Sequence, residues 1–297
     1  MSLSTALVNG VLIGGMYALA AVGFSLIFGV MDVINLTHGV ILLLGAYVTY
    51  YSFTLAGIDP FLTIPISMVT LFVFGYVYQR TLVQRIIGEG ALKSLLITFG
   101  VALMIRNLMN IVFTPNQRSI SSSETFIVDL VGVNFPFLGV TVPTARAFGL
   151  VLALVLVAAL SVLLRRTELG RAIRATALDR KGAALMGVNV PHVFAMTFGI
   201  AAAFSASAGS ILGVVTPFSP VQEGTYTLQA FVVVVLGGVG TPAGALVGGL
   251  LLGFATQLTA TFVSSGYQQV VMFSLLVIML LVRPHGLLGD VFEGGGE

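Results

Sequence analysis

Apolar runs long enough to cross a hydrocarbon layer, which takes about 20 helical residues, follow one another along almost the whole chain. They fall at Val8–Val30, Thr37–Ala56, Pro60–Gln79, Leu92–Phe113, Ala145–Leu164, Val193–Val215, Gln229–Phe262 and Tyr267–Val282. The seventh run is broken by glycines. Backbone groups in hydrocarbon must pair within their own segment or in a closed barrel. Barrel strands would alternate apolar and polar residues over about ten positions, whereas Val151–Leu164 is apolar on every face. The runs are therefore helices. The expected fold is an all-α integral membrane bundle with eight transmembrane helices and a re-entrant or broken segment.

Composition excludes most other classes. Only 8% of the 297 residues are charged and 57% are hydrophobic, with a mean hydropathy of +1.07. Soluble domains carry about 25% charged residues, so most of this surface must face lipid or other helices. No stretch reads as a separate soluble domain, and residues 1–297 are expected to form one transmembrane domain. With no Cys, disulfides and thiolate metal sites are excluded; with no Trp, interfacial anchoring falls to Tyr and Phe. The net charge of +2 comes from sparse residues between apolar runs, which gives no surface for nucleic acid. Met1–Asn9 lacks the basic stretch of a cleaved signal, so the first run is expected to remain as a span.

Basic residues set the orientation, because cytoplasmic loops carry the excess of Lys and Arg. None precedes Arg80. Arg80, Arg85 and Lys93 form one cluster, Arg165, Arg166, Arg171, Arg174, Arg180 and Lys181 a second, and Arg283 follows the last run. Placing all three inside requires an even number of crossings between them. Residues 114–144 then lie outside. The count closes at Arg283 if Gln229–Phe262 enters the membrane and returns, and the N-terminus is expected outside.

The only sizeable polar stretch on the inner side is Arg165–His192. Its Ala, Leu, Arg and Lys favour helix. Leu169, Ile173 and Ala177 recur at i, i+4 and i+8, which predicts a short amphipathic helix pair lying along the membrane. Six basic residues suit anionic lipid headgroups. The same stretch also suits docking of a cytoplasmic protein, because Gly170, Ala183 and Gly187 permit close approach and Asp179 offers a polar anchor.

Two segments put Gly, Pro or polar residues at membrane depth, Gly29–Gly39 and Gly237–Gly244. Non-helical backbone there must be buried or line an aqueous cavity, and such breaks often build transport pathways. A cytoplasmic turn and a tight packing hairpin would explain them equally. Asn35, His38 and Thr241 are pathway candidates. Gly10/Gly14 and Gly240/Gly244/Gly248 are small-xxx-small patterns for close helix packing. Arg106 is the one ionisable residue placed well inside a span, two turns from its outer end, and snorkelling would account for it. Asp32 is the only carboxylate near membrane depth.

A nucleotide-binding P-loop requires a Gly-Lys pair, and the chain has none. His38, His192 and His285 are too dispersed to suggest a metal site. The absence of a mid-span carboxylate argues against an ion-driven transporter. The chain is read as a non-enzyme with no cofactor of its own and no internal energy source. A stand-alone channel is the competing reading; a membrane enzyme would need a catalytic dyad that is not found.

Three blocks carry a family resemblance. Gly23-Phe-Ser-Leu-Ile-Phe-Gly-Val-Met-Asp-Val-Ile-Asn-Leu-Thr-His-Gly39 with Leu44-Gly-Ala-Tyr47 is the first. Gly170-Arg-Ala through Asp179 with Ala183-Ala-Leu-Met-Gly-Val-Asn189 is the second. Leu236-Gly-Gly-Val-Gly-Thr-Pro-Ala-Gly-Ala-Leu-Val-Gly-Gly249 is the third. In this order they resemble the permease subunits of branched-chain amino-acid ABC importers. One departure is Thr37, where the family has Ala. The resemblance implies a compact permease bundle, the smaller of two permease subunits, in the bacterial inner membrane. It also implies a second permease, two cytoplasmic ATPase subunits holding ATP and Mg, and a periplasmic binding protein. Substrates would be branched-chain amino acids or a related amino acid, amide or acid. Candidate pathway residues are then Asn35, Thr37, His38, Tyr47 and Thr241. Candidate ATPase-coupling residues are Glu168, Gly170, Arg171, Arg174, Asp179, Ala183, Met186 and Gly187.

Overall fold

The computed structural model describes residues 3–88, 90–121, 134–137 and 140–289. In chain order the helices are α1 (Leu3–Met31), α2 (His38–Ala56), α3 (Ile64–Thr81), α4 (Ala91–Phe113), α5 (Thr144–Arg166), α6 (Glu168–Leu178), α7 (Arg180–Leu185), α8 (Val190–Val215), α9 (Glu223–Gly237), α10 (Pro242–Phe262) and α11 (Gln268–Val282). Among the described residues eight helices are long and apolar enough to span: α1 to α5, α8, α10 and α11, with the turn at 83–85 extending α3 and that at 265–267 extending α11. The middle of the expected outer loop, 122–133 with 138–139, lies outside the described residues. Beside it, β1 (Asn134–Phe137) pairs antiparallel with β2 (Val140–Pro143), a hairpin that the apolar pattern does not announce.

The broken seventh run starts earlier than expected, at Glu223 rather than Gln229. At 15 residues α9 is about 22 Å long, too short to span unaided. It descends to Gly237 at the inner end, and α10 returns outward.

Contacts between helix ends show which segments share an end of the bundle; the end that carries α6 and α7 is termed inner, after the expected orientation, and the opposite end outer. Arg146 Nη1 near the start of α5 donates to Asn9 Oδ1 at 3.4 Å, so α1 begins at the end of the bundle where residues 114–144 lie. At the other end, Arg180 Nη2 donates to the Met31 carbonyl at 2.6 Å. The segment after α11 returns to that end too: Leu287 and Leu288 N–H bond the carbonyls of Leu236 and Gly237 at 3.1 and 3.0 Å.

Helix α8 forms the centre and is buried along nearly its whole length. Lipid tails are as apolar as the side chains, so helices associate through close van der Waals packing and interhelical hydrogen bonds. The Ala, Ser and Gly run of α8 supplies both. Thr49 of α2 donates to Ser210 Oγ at 2.8 Å, and Ser67 of α3 lies 2.9 Å from the same oxygen. Outward faces of α3, α4, α5 and α11 keep Val69, Val73, Leu96, Leu108, Val155 and Val277 exposed, as a lipid-facing surface requires.

The longest seam joins α1 and α10 antiparallel. Gly10 and Gly14 meet Gly249, Leu250, Gly253 and Phe254. The expected Gly240/Gly244/Gly248 stripe is divided differently. Gly244 and Gly248 seat α9 at Gly237 and Val233, while Gly240 lies in the break with φ +79° against Gly29. The α-helical period sends residues one position apart to different neighbours, so α10 offers two glycine seams.

Candidate translocation path and coupling surface

The chain leaves α1 at Asp32, which is exposed at the inner end with φ +52°. It therefore is not a membrane-depth carboxylate. Residues 32–37 then climb back into the bundle without helical bonding. His38 Nε2 reaches the Ala20 carbonyl at 2.7 Å, a level about 16 Å above Met31 at 1.5 Å per residue. The break is a re-entrant strap, not a surface turn.

Side chains meet the polar demand of this buried backbone. Thr98 Oγ1 accepts from Leu36 N–H at 3.3 Å and donates to the Ile34 carbonyl at 3.1 Å. Thr227 Oγ1 accepts from Gly39 N–H at 2.9 Å. Asn35 Oδ1 accepts from both the N–H and the hydroxyl of Thr37. Asn35, Thr37 and His38 are almost wholly buried, and Asn35 Nδ2 has no partner. The bond to the Ala20 carbonyl requires the His38 proton on Nε2, leaving Nδ1 as an acceptor 3.5 Å from Ser205 Oγ.

The other two pathway candidates stand apart. Tyr47 stacks on Phe113 at 4.3 Å and meets Phe218 edge-on at 5.0 Å, within an apolar cluster of α2, α4 and the segment before α9. Thr241 caps α10, its Oγ1 accepting from Gly244 N–H at 3.2 Å. It also borders an inner cavity of about 270 Å³ with Ser161, Arg165 and Leu288.

Arg106 does not snorkel away from the protein. Its Nη1 lies 3.3 Å from Glu223 Oε1, with the arginine side chain 33% and the glutamate 9% exposed. Glu223 was not expected at depth. The signal that could have found it is a lone acidic residue in the polar-aromatic stretch before Phe231, read as a buried helix start instead of a loop.

A second cavity of about 330 Å³ lies in the outer half, between α1, α8 and α9. Ala20 and Leu42 border it at depth, and exposed Thr216 and Pro217 border it outside. Since Ala20 holds His38, the strap lies just below this cavity. Its polar lining of Tyr17, Arg146, Tyr226, Gln229 and Gln268 escaped the sequence reading, because these residues come from four helices far apart in the chain and form no local motif.

At the inner end, α6 and α7 form an amphipathic elbow. Ile173 is buried in the main core while Leu169 packs against it. Gly170, buried, fits against the Leu163 and Leu164 carbonyls, and Arg174 donates to the Leu164 carbonyl. Arg180 lies over the Phe194 ring at 5.5 Å. Ile173 and Ala177 line a 170 Å³ cavity with Leu26, Gly29 and Gly240, so the elbow faces the end of α1 and the α9–α10 break across a shared cavity. Glu168 and Arg171 pair at 3.5 Å on the exposed face. Ala183 is buried and Gly187 turns with φ +86°. Leu185 and Met186 project outward, 88% and 86% exposed.

The family description "Branched-chain amino acid transport system / permease component" matches residues 6–280. The chain belongs to this permease family. It is 32% identical over 293 residues to the high-affinity branched-chain amino acid transport system permease protein LivH of Escherichia coli (strain K12), covering 95% of this chain and 94% of that one. Identity to the corresponding permease protein BraD of Pseudomonas aeruginosa is 33% over 300 residues, with the same two coverages. The ribose import permease protein RbsC of Bacillus subtilis (strain 168) is 30% identical over 263 residues, covering 86% and 79%. No solved structure matches the chain. The permease is thus a multi-pass membrane transport component, and nothing supports a stand-alone channel.

In the permease, Asp179 has a local role that the sequence did not suggest. It is the N-cap of α7, its Oδ1 accepting from Lys181 N–H at 2.9 Å. Asp179→Asn keeps that acceptor and should preserve solute uptake. Asp179→Ala should cost about 1 kcal/mol of local helix stability and lower uptake. Uptake in proteoliposomes compares them; equal losses in both would make the charge, and not the cap, the essential feature.

Proposed function

We propose that the permease translocates branched-chain amino acids, or a related small solute, as one subunit of an ATP-driven importer in a bacterial cytoplasmic membrane. The observation that carries this reading is the α6–α7 elbow, which bonds the end of α1 at Met31, faces Gly240 of the α9–α10 break across a shared cavity, and presents Leu185 and Met186 on its other side. A partner seated on those two side chains can pull on both breaks. In this reading two ATPase subunits dock there, hold ATP and Mg, and supply the energy. A second permease completes the membrane assembly, and an external binding protein delivers the solute. The names of the LivH and BraD relatives support the solute class.

The mechanism is alternating access. Displacing α6 and α7 moves Met31 through Arg180 and moves Gly240 through the Ile173 contacts. The strap at Asn35–His38 then shifts relative to Ala20, closing the outer cavity as the inner end opens. Coupling requires the partner to bind the two states with different affinity.

The test is purification of the tagged protein from its native membranes in mild detergent, with mass spectrometry of the accompanying chains and leucine uptake in proteoliposomes. An ATPase subunit and a second permease should copurify, and uptake should need ATP. Leu185→Asp with Met186→Asp should reduce ATPase recovery by more than about tenfold, the effect of losing buried apolar anchors at an interface, without preventing insertion. A chain that emerges alone and passes leucine without ATP would overturn the proposal.

A further inference from the structure

We infer that the outer cavity is a solute-binding site that recognises a carboxylate through Arg146 and a compact apolar group through its wall. This inference rests on the importer reading and adds the chemistry by which the permease itself holds the solute. Arg146 projects from the first turn of α5 into the cavity wall. Its hydrogen bond is to a neutral acceptor, Asn9 Oδ1. Among the described residues no carboxylate lies within ion-pair distance of it, in contrast to Arg106.

A fixed cation beside a cavity in a low-dielectric surround attracts an anion strongly. Arginine's planar fork matches a carboxylate in two-point geometry. The same cavity is bordered by Ile13, Met16, Leu212 and Val215, apolar side chains that can receive an aliphatic group. Gln229 and Tyr226 offer neutral polar atoms that can serve the rest of a polar head without trapping it. One unpaired charge in a cavity that remains connected to the outside gives selectivity with weak affinity, which a translocation site needs.

The parent chain has no cysteine, so Gln229→Cys gives a single reporter in the cavity. The probe is a negatively charged methanethiosulfonate reagent, applied to the full transporter in nanodiscs of phosphatidylcholine, which excludes anionic headgroups as the occupant. Labelling should be retarded by L-leucine and by isovalerate, which share the carboxylate, and not by leucinol, which lacks it. Adding Arg146→Gln should weaken protection by about tenfold, the value of one charge-assisted hydrogen bond, while Arg146→Lys should retain part of it.

Protection by leucinol equal to that by leucine would overturn the inference, as would full leucine protection in Arg146→Gln. A reporter that never reacts would overturn it too, because the cavity would then be closed to solutes. Should Arg146→Gln fail to fold, the leucine and leucinol comparison on the native arginine still decides. Protection by isovalerate without leucine uptake would support the carboxylate site while rejecting the proposed transport substrate, so the two failures are separable.

Discussion

Glu223→Leu should destabilise the purified permease by about 3 kcal/mol, the lower end of the range for stranding one partner of a buried ion pair. The lower end applies because Arg106 retains partial contact with its surroundings, at 33% exposure. Removing the carboxylate leaves the guanidinium without its ion-pair partner, and Arg106 Nε already has no partner. The double replacement Glu223→Leu with Arg106→Leu should recover most of the loss, because no charge then remains uncompensated. Thermal unfolding of the four proteins in mild detergent closes the cycle. Simple addition of the two single losses would mean that the pair is not coupled. Glu223 also starts α9 against Gly39, so the same variant should loosen the strap and reduce uptake.

The second large effect is expected at the α1–α10 seam. Gly253→Leu would place a side chain against the Gly10 carbonyl and the Gly14 backbone. Neither can rotate aside, unlike a flexible side chain. Overpacking of a close-packed site costs roughly 1–3 kcal/mol, and a clash with backbone along the longest seam should reach or exceed the top of that range. The expected result is a sharp fall in monodisperse protein after detergent extraction. Gly100→Leu is the control, since a Cβ there meets nothing within 4 Å, and its yield should match the parent. Parent-like yield from Gly253→Leu would show that the two helices can separate without loss of the fold.

Both effects depend on neighbours brought together from distant parts of the chain, and this separates what was legible in the sequence from what was not. The spans were legible because hydrocarbon leaves the backbone one local solution, a helix of a certain length. The α6–α7 elbow was legible because Leu169 and Ile173 repeat at the helical period while the rest is charged. Which segments share an end of the bundle followed from counting spans between the Arg and Lys clusters.

Partnerships across the bundle were not legible. Arg106 and Glu223 are 117 positions apart, and each alone reads as an interfacial charge. Tyr47 belongs to a family-like block, yet its ring is enclosed by Phe113 and Phe218. Asp179 reads in the sequence as an anchor for another protein, and its part as the cap of α7 showed only in the structure. The cavity around Arg146 draws on six helices, with no two neighbouring residues contributing a recognisable motif. The sequence by itself determined the solvent and the spanning helices, because transfer into lipid is a property of each segment. Only the tertiary structure decided which polar atoms meet, because hydrogen bonds and ion pairs form over about 3 Å between residues that the chain order does not bring together.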